Sequence, residues 1–405
     1  MYDWAVLWAW IEIAARWTHV ITAIAWIGSS FYFIALDLGL YRDRNLASGA
    51  DGEEWQVHGG GFYHIQKYLV APASMPEHLT WFKWESYATW LSGFTMLVLV
   101  YYLGAEFYLI DPSVMELTVT QAVLISIASL AFGWLAYNTL CRVFVNANQT
   151  ALMVALFVLL VAMAWGYTQV FSGRAALLHL GAFTATIMSG NVFLVIIPNQ
   201  KIVVADLKAG RKPDPKYGKI AKQRSTHNNY LTLPVLFLML SNHYPLVFAT
   251  EYNWLIAALV FLMGVTIRHW FNTVHARKGN PHWTWPLTVA LFLLAMWLSA
   301  QPMRKAEGEA LGPKAHSFAQ AAGFEDVVSI VQGRCSMCHA AEPAWAGLYW
   351  PPKGVRLETP EQIAEHAEQI AMQAGYSHAM PPANLSSMEP EERAAIVAWF
   401  RAGRG

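Results

Sequence analysis

Long apolar stretches recur through residues 1–302, and a polar connection separates each stretch from the next. Crossing the hydrocarbon core of a bilayer takes about 17 to 25 apolar residues, and eight stretches are long enough. They are residues 7–38, 85–103, 117–140, 150–170, 175–197, 229–248, 254–271 and 283–300. The pattern predicts an all-α fold, in which an eight-helix transmembrane bundle in a lipid bilayer forms a domain over residues 1–302.

Basic residues are distributed unevenly among the connections. The connection after the fifth stretch is rich in them from Lys201 to Arg224, whereas residues 104–116 contain no Lys or Arg. Because cytoplasmic connections are enriched in Lys and Arg, both termini are predicted to lie outside. The N-terminal stretch has no basic region before it and is too long for a cleavable signal peptide, so it is predicted to be a retained helix.

The composition agrees with a membrane protein and excludes some functions. Apolar residues make up 56% of the chain and charged residues 13%, with a net charge of zero. The chain therefore has no basic excess for binding nucleic acid. It also has no P-loop and no glycine-rich dinucleotide motif after a strand.

The segment Cys335-Ser-Met-Cys338-His339 has the C-x-x-C-H pattern that attaches a c-type haem. Cys335 and Cys338 would bind the porphyrin covalently, and His339 would ligate the iron. A zinc site and a redox dithiol are alternatives. Zinc would need further ligands, and no other cysteine follows. Because c haem is attached in the periplasm, the motif and the basic connections both predict a bacterial inner-membrane protein with a periplasmic C-terminal region.

Met380 is the candidate for the second axial ligand, because it precedes two prolines that fix a loop. Met388, Met372 and His378 are alternatives. Short helices are predicted at 324–331 and 389–401, on either side of the motif. This arrangement resembles the class I cytochrome c fold, which predicts a small domain at 317–405 after a linker at 303–316.

Several ionisable residues lie within the apolar stretches, where they are costly and commonly functional. Arg16 and His19 share one face of the first stretch. Histidine pairs at similar depth could ligate a haem b. The candidates are His19 with His179 on the outer side and His227 with His269 on the inner side. Each of these histidines could instead be a hydrogen-bonded core residue.

The segment from Arg16 to Phe33, the region 58–93, the eight-helix plan and the appended C-x-x-C-H domain together resemble the bacterial membrane-bound urate oxidases. The resemblance implies that urate is hydroxylated at C5 by water to 5-hydroxyisourate without hydrogen peroxide. It also implies that the electrons pass through the chain's own c haem to a soluble cytochrome c and a terminal oxidase. Because urate donates two electrons and a haem accepts one, the reaction requires either a radical intermediate or a second redox centre, for which haem b is the candidate.

Urate oxidation also requires a base and cationic groups that hold the anion. His64, Lys67 and His78, in the polar region after the first stretch, are base candidates by residue type. Arg16 is a candidate for gripping the purine, with Arg142 and Arg268 as alternatives. A quinol-linked redox subunit that delivers electrons to cytochrome c is the alternative function.

Overall fold

The structure is a computed structural model that describes residues 4–68, 76–144, 148–300, 311–346, 348 and 351–404. These residues are mostly helical. Up to residue 300 the helices are α1 (Trp4–Gly39), α2 (Trp84–Met96), α3 (Ala105–Tyr108), α4 (Val119–Val143), α5 (Gln149–Thr168), α6 (Gly173–Gly190), α7 (Ile197–Lys208), α8 (Pro215–Ser241), α9 (Pro245–Phe248), α10 (Asn253–His275) and α11 (Thr284–Ser299). Helix α2 continues through a π-helical turn, Leu97–Tyr102, and a second such turn, Asn191–Ile196, joins α6 to α7.

Within the described residues, five helical segments are both long enough and apolar enough to cross a membrane. They are Val6–Gly39, Val119–Val143, Gln149–Thr168, Gly173–Lys208 and Asn253–His275. Helix α11 is apolar but has only 16 residues. The chain therefore has the helices of a membrane protein, and the total of eight spans stays a prediction.

A β-hairpin follows α1, so the prediction of an all-α chain is wrong at this point. Strands β1 (Ala50–His58) and β2 (Gly61–Tyr68) pair antiparallel around a turn at Gly59 and Gly60. These two glycines have φ angles of +59° and +80°, which residues with a Cβ rarely adopt. Two consecutive glycines between strand-forming residues are a hairpin signal, which the search for long apolar stretches did not detect.

The helix predicted at 175–197 is longer than its apolar stretch, because α6, the π-helical turn and α7 form one segment that ends at Lys208. Pro198 follows the turn. A proline has no N–H and clashes with the carbonyl four residues earlier in a regular helix. The wider π-helical turn accommodates it, and the polar second half of the segment then extends past the predicted end.

Helices α4 and α6 approach closely where glycines face aromatic rings. A Cβ added at Gly133 would lie 2.5 Å from the ring of Phe183, and one added at Gly190 would lie 2.4 Å from the ring of Trp134. Small residues allow this kind of close approach between membrane helices.

We expect Gly133→Ala to destabilise the protein by about 1–3 kcal/mol, because the rigid ring of Phe183 must move. The measurement is the midpoint of thermal unfolding of the purified protein in detergent. Gly166→Ala is the matched control, since nothing lies within 4 Å of the added Cβ. Equal midpoints for the two variants would contradict the packing argument.

Residues from 311 onward form a second set of helices. They are α12 (Pro313–Ala319), α13 (Phe324–Arg334), α14 (Ser336–His339), α15 (Pro360–Glu365), α16 (Ala367–Ile370) and α17 (Pro390–Gly403). Helices α13 and α17 confirm the two short helices predicted beside the motif. Their hydrophobic core is separate from that of residues 4–300, the membrane part of the chain. Phe318, Ile363 and Trp399 are fully buried in it.

The linker predicted at 303–316 overlaps α12, which begins at Pro313. Residues 303–310 of that linker lie outside the described residues. The class I cytochrome c fold of this domain stays a prediction.

Candidate functional site

A cavity of about 1220 Å³ lies between α5, α8 and α10. Aromatic and aliphatic side chains form much of its wall. The polar residues in the wall are Gln149, Thr150, Asp214, Lys216, Lys219, Lys222, Gln223, Thr226, His227, Tyr230 and His269. A mainly apolar cleft with a small set of convergent polar groups is the usual form of a small-molecule site.

Helix α8 supplies most of the polar groups. Asp214 begins the helix, and its carboxylate accepts a hydrogen bond from the backbone N–H of Lys216 at 2.9 Å. Lys219, Gln223 and Tyr230 then follow at spacings that place them on one side of the helix. The lysines lie in the first turns of α8, so this end of the cavity carries positive charge and attracts anions.

A buried hydrogen-bond network contacts His227 through its Nδ1 atom. The Tyr137 hydroxyl lies 2.7 Å from His227 Nδ1, and Asn191 Nδ2 donates to that hydroxyl at 3.0 Å. Arg224 Nη1 donates to Asn191 Oδ1 at 3.3 Å, and since a guanidinium can only donate, this contact fixes the orientation of the amide. The Tyr137 hydroxyl still has its proton to donate to Nδ1 of His227. A neutral imidazole that accepts this hydrogen bond carries its proton on Nε2, where it can donate to a ligand in the cavity.

A second polar network lies beside the cavity on α8 and α10. Arg268 Nε donates to Asn229 Oδ1 at 3.2 Å, and its Nη2 donates to Asn272 Oδ1 at 3.0 Å. The guanidinium also stacks on Phe31, 4.2 Å from the ring centroid. Arg268 is therefore engaged by the protein itself, while the neighbouring His269 lines the cavity.

The structure brings the predicted inner histidine pair, His227 and His269, to the wall of one cavity. The outer pair has other surroundings. His179 is fully buried, with Nε2 2.8 Å from a serine hydroxyl of α4 and Nδ1 2.8 Å from a backbone carbonyl of α6. His19 Nδ1 lies 3.1 Å from a backbone carbonyl of α2. The inner pair therefore shares an open space, whereas the outer pair is bonded to its own neighbours.

Of the four candidate catalytic residues, three lie in or after the hairpin. His64 Nε2 is 2.8 Å from a carboxylate oxygen of Glu53, and His78 is exposed. Lys67 is ion-paired with Asp37, near the end of α1. Asp37 also pairs with Lys222 of the cavity wall at 3.1 Å, so Lys67 lies next to the lysine end of the cavity. Burial, and then the charge of Lys222, lower the pKa of Lys67.

The fourth candidate, Arg16, lies far from the other three. It precedes Asp37 on α1 by about 30 Å at the helical rise of about 1.5 Å per residue. Its Nη1 lies 3.4 Å from His243 Nε2, at the opposite end of the membrane part. The structure therefore does not gather the four candidates into one site.

The C-x-x-C-H residues lie on one short turn after α13. His339 Nδ1 lies 3.0 Å from the carbonyl oxygen of Val355, as is usual for a metal-bound histidine, whose other nitrogen ligates the metal. Met380 packs against the core of the same domain. Its alternative Met388 is only 3% exposed within that core. Cys335, Cys338, His339 and Met380 all belong to this one domain.

The pattern of apolar stretches does not reveal three residues of the network that contacts His227, namely Tyr137, Asn191 and Arg224. Asn191 and Tyr137 are polar groups inside long apolar helices, and such groups are costly unless they serve a purpose. That signal was present in the sequence. Arg224 was counted as a residue of a basic connection, whereas it is buried within α8.

A comparison with known protein families gave a match, which covers the membrane part of the chain. The family model described as "urate oxidase N-terminal" matches residues 5–299, which include the whole cavity wall and both buried networks. No curated protein and no solved structure gave a match to the chain. The match spans nearly all of the membrane part and well over half of the chain, and it indicates an oxidoreductase that acts on urate. The chain belongs to the urate oxidase N-terminal family.

Proposed function

We propose that the chain oxidises urate in the cavity between α5, α8 and α10 and passes the electrons to a haem c in its own C-terminal domain. The observation that carries the proposal is the wall of the cavity, where lysines, amides and His227 converge within the region matched by the urate oxidase family model. The lysine end belongs to the connection predicted to be cytoplasmic, so we propose that urate enters from the cytoplasm.

The chemistry of urate fits these groups. Urate is a planar anion at neutral pH, with carbonyl oxygens and ring nitrogens around its edge. Lys219 and Lys222 would attract and neutralise the charge, and the apolar wall, including Phe157 and Phe261, would cover the faces of the purine. His227 would donate from Nε2 to an acceptor on the purine edge.

The reaction balances without oxygen. The urate monoanion and one water give 5-hydroxyisourate, one proton and two electrons. A C–O bond forms at C5, and negative charge leaves the purine as electrons. The donor at His227 is preorganised by Tyr137, so it can stabilise charge on the purine as the water attacks.

The C-terminal domain would accept the electrons. A haem c held by Cys335, Cys338, His339 and Met380 would supply one-electron acceptance and pass electrons on to a soluble cytochrome c. Burial raises the pKa of the Cys335 thiol to about 11, whereas a redox dithiol has a lowered pKa. Among the described residues, no three His, Cys, Asp or Glu side chains form a metal-binding group, and a structural zinc site needs four ligands.

The test is an optical spectrum of the purified, oxidised protein before and after anaerobic addition of urate. We expect a reduced c-type band to appear within the turnover time, and an added b-type band if the histidine pair at the cavity binds a haem. A spectrum that urate leaves unchanged, while dithionite or a quinol reduces the haem, would overturn the proposal in favour of a quinol-linked subunit.

A further inference from the structure

The C-terminal domain is docked on the membrane part at the end opposite the lysines of the cavity. The rings of Phe107 and Phe318 are stacked with their centroids 6.3 Å apart. The Tyr108 hydroxyl donates to a carboxylate oxygen of Glu368 at 3.1 Å. These contacts tether the domain through α3, but they involve none of the residues that would hold a haem.

A separate contact lies at the turn after α8. A Cβ built on Gly354 would lie only 3.3 Å from Cβ of Pro245, and the Lys353 ammonium lies 5.8 Å from the ring centroid of Tyr244. Lys353 and Gly354 have φ angles of +60° and +71°. A lysine in this conformation is uncommon and is kept where the surrounding structure requires it. The loop is therefore held in a shape that fits against the turn.

This contact is connected to the candidate axial ligand on one side and to the membrane helices on the other. Val355, the next residue of the loop, presents its carbonyl oxygen 3.0 Å from His339 Nδ1. On the membrane side, Arg16 of α1 contacts His243 at 3.4 Å. Between these two contacts, Pro245 packs on Gly354.

We propose that electrons pass from the membrane part into the C-terminal domain at this contact, from the turn at 243–245 through the loop at 353–355 to the imidazole of His339. The inference rests on the proposed function, which supplies the two electrons of each urate. They would cross one at a time towards the imidazole of His339, which would hold a haem c able to accept one electron, while the proton is released in the membrane part. The opposite surface of the domain then stays free for a soluble cytochrome c.

The test is the substitution Pro245→Arg, which adds bulk and positive charge against Gly354 and Lys353. We expect it to separate the loop from the turn. We expect urate to reduce the haem several-fold more slowly, because separating the two surfaces lengthens the distance that each electron must cross. The spectrum after dithionite should match that of the wild type.

Trypsin should also cleave after Lys353 and Arg356 faster than in the wild type, which reports the undocking independently of activity. Tyr244→Ala is a milder variant that should shift both readouts in the same direction if Pro245→Arg does not assemble.

Leu246→Arg is the matched control, because it makes a similar change on the next residue of α9, whose side chain is 65% exposed. It should leave both readouts unchanged. Faster cleavage of Pro245→Arg with an unchanged rate of haem reduction would overturn the inference and leave the proposed function standing. A wild-type haem that urate does not reduce would overturn the proposed function, and this inference with it.

Discussion

Replacing His227 with Phe is expected to slow the reduction of the haem by urate by about 100-fold or more. The phenyl ring fills the same space but removes the Nε2 donor, and loss of one preorganised donor commonly costs about 100- to 1000-fold in rate. The substitution also leaves the Tyr137 hydroxyl without its acceptor at 2.7 Å. The measurement is the anaerobic rate of haem reduction at saturating urate in a stopped-flow spectrometer.

Two further variants identify the cause of this loss. Tyr137→Phe keeps the histidine but removes the hydroxyl that sets its tautomer, and we expect an intermediate loss of about tenfold. His282→Phe makes the same exchange at an exposed histidine outside the cavity and should leave the rate unchanged. If His227→Phe reduced its haem as fast as His282→Phe, the cavity would not be the site of urate oxidation.

The positions of the long helices could be predicted from the sequence, because a bilayer requires long apolar segments and little else resembles them. The polar extensions of those helices could not. Helix α8 begins at Pro215, although the apolar stretch begins at 229, since Asp214 and Pro215 start the helix in a lysine-rich segment. The lysine end of the cavity therefore lies in a region that the hydrophobic pattern classifies as a connection.

The surroundings of the cavity histidines are a second feature that could not be predicted from the sequence. Their depth could be estimated from the topology, and His227 and His269 do share one cavity. Which histidines face open space depends on side-chain partners from distant segments. His179 also lies within a predicted membrane helix, but the hydroxyl of Ser126 lies 2.8 Å from its Nε2. Similarly, residue type alone indicates His64 and Lys67 as base candidates, whereas their pairing with Glu53 and Asp37 follows from the hairpin.

The C-x-x-C-H motif could be interpreted locally, because its chemistry depends on five consecutive residues. The structure adds what the spacing cannot give, which is the carbonyl of Val355 at His339 and the contact of the same loop with the membrane part. His339 is therefore informative because the local motif contacts, at Val355, a loop that also packs on the membrane part.

Replacing both Cys335 and Cys338 with Ser is expected to abolish covalent haem attachment and, with it, the reduction of added cytochrome c by urate. A serine hydroxyl cannot form the thioether bonds that the motif provides. The loss should be complete, because the predicted route from urate to the soluble partner passes through this one group. The measurements are haem staining of the denatured protein and anaerobic reduction of cytochrome c by urate.

The third cysteine provides the control for that experiment. Cys141 is buried in α4, with its sulfur 4.0 Å from His227 Nδ1, so Cys141→Ser should keep the covalent haem while it perturbs the cavity. Urate binding should survive the double substitution, since the cavity shares no residue with the C-terminal domain. Covalent haem that persists in the double variant would contradict the assignment. Stoichiometric zinc in the wild type that disappears in the double variant would instead establish a metal site at the two cysteines.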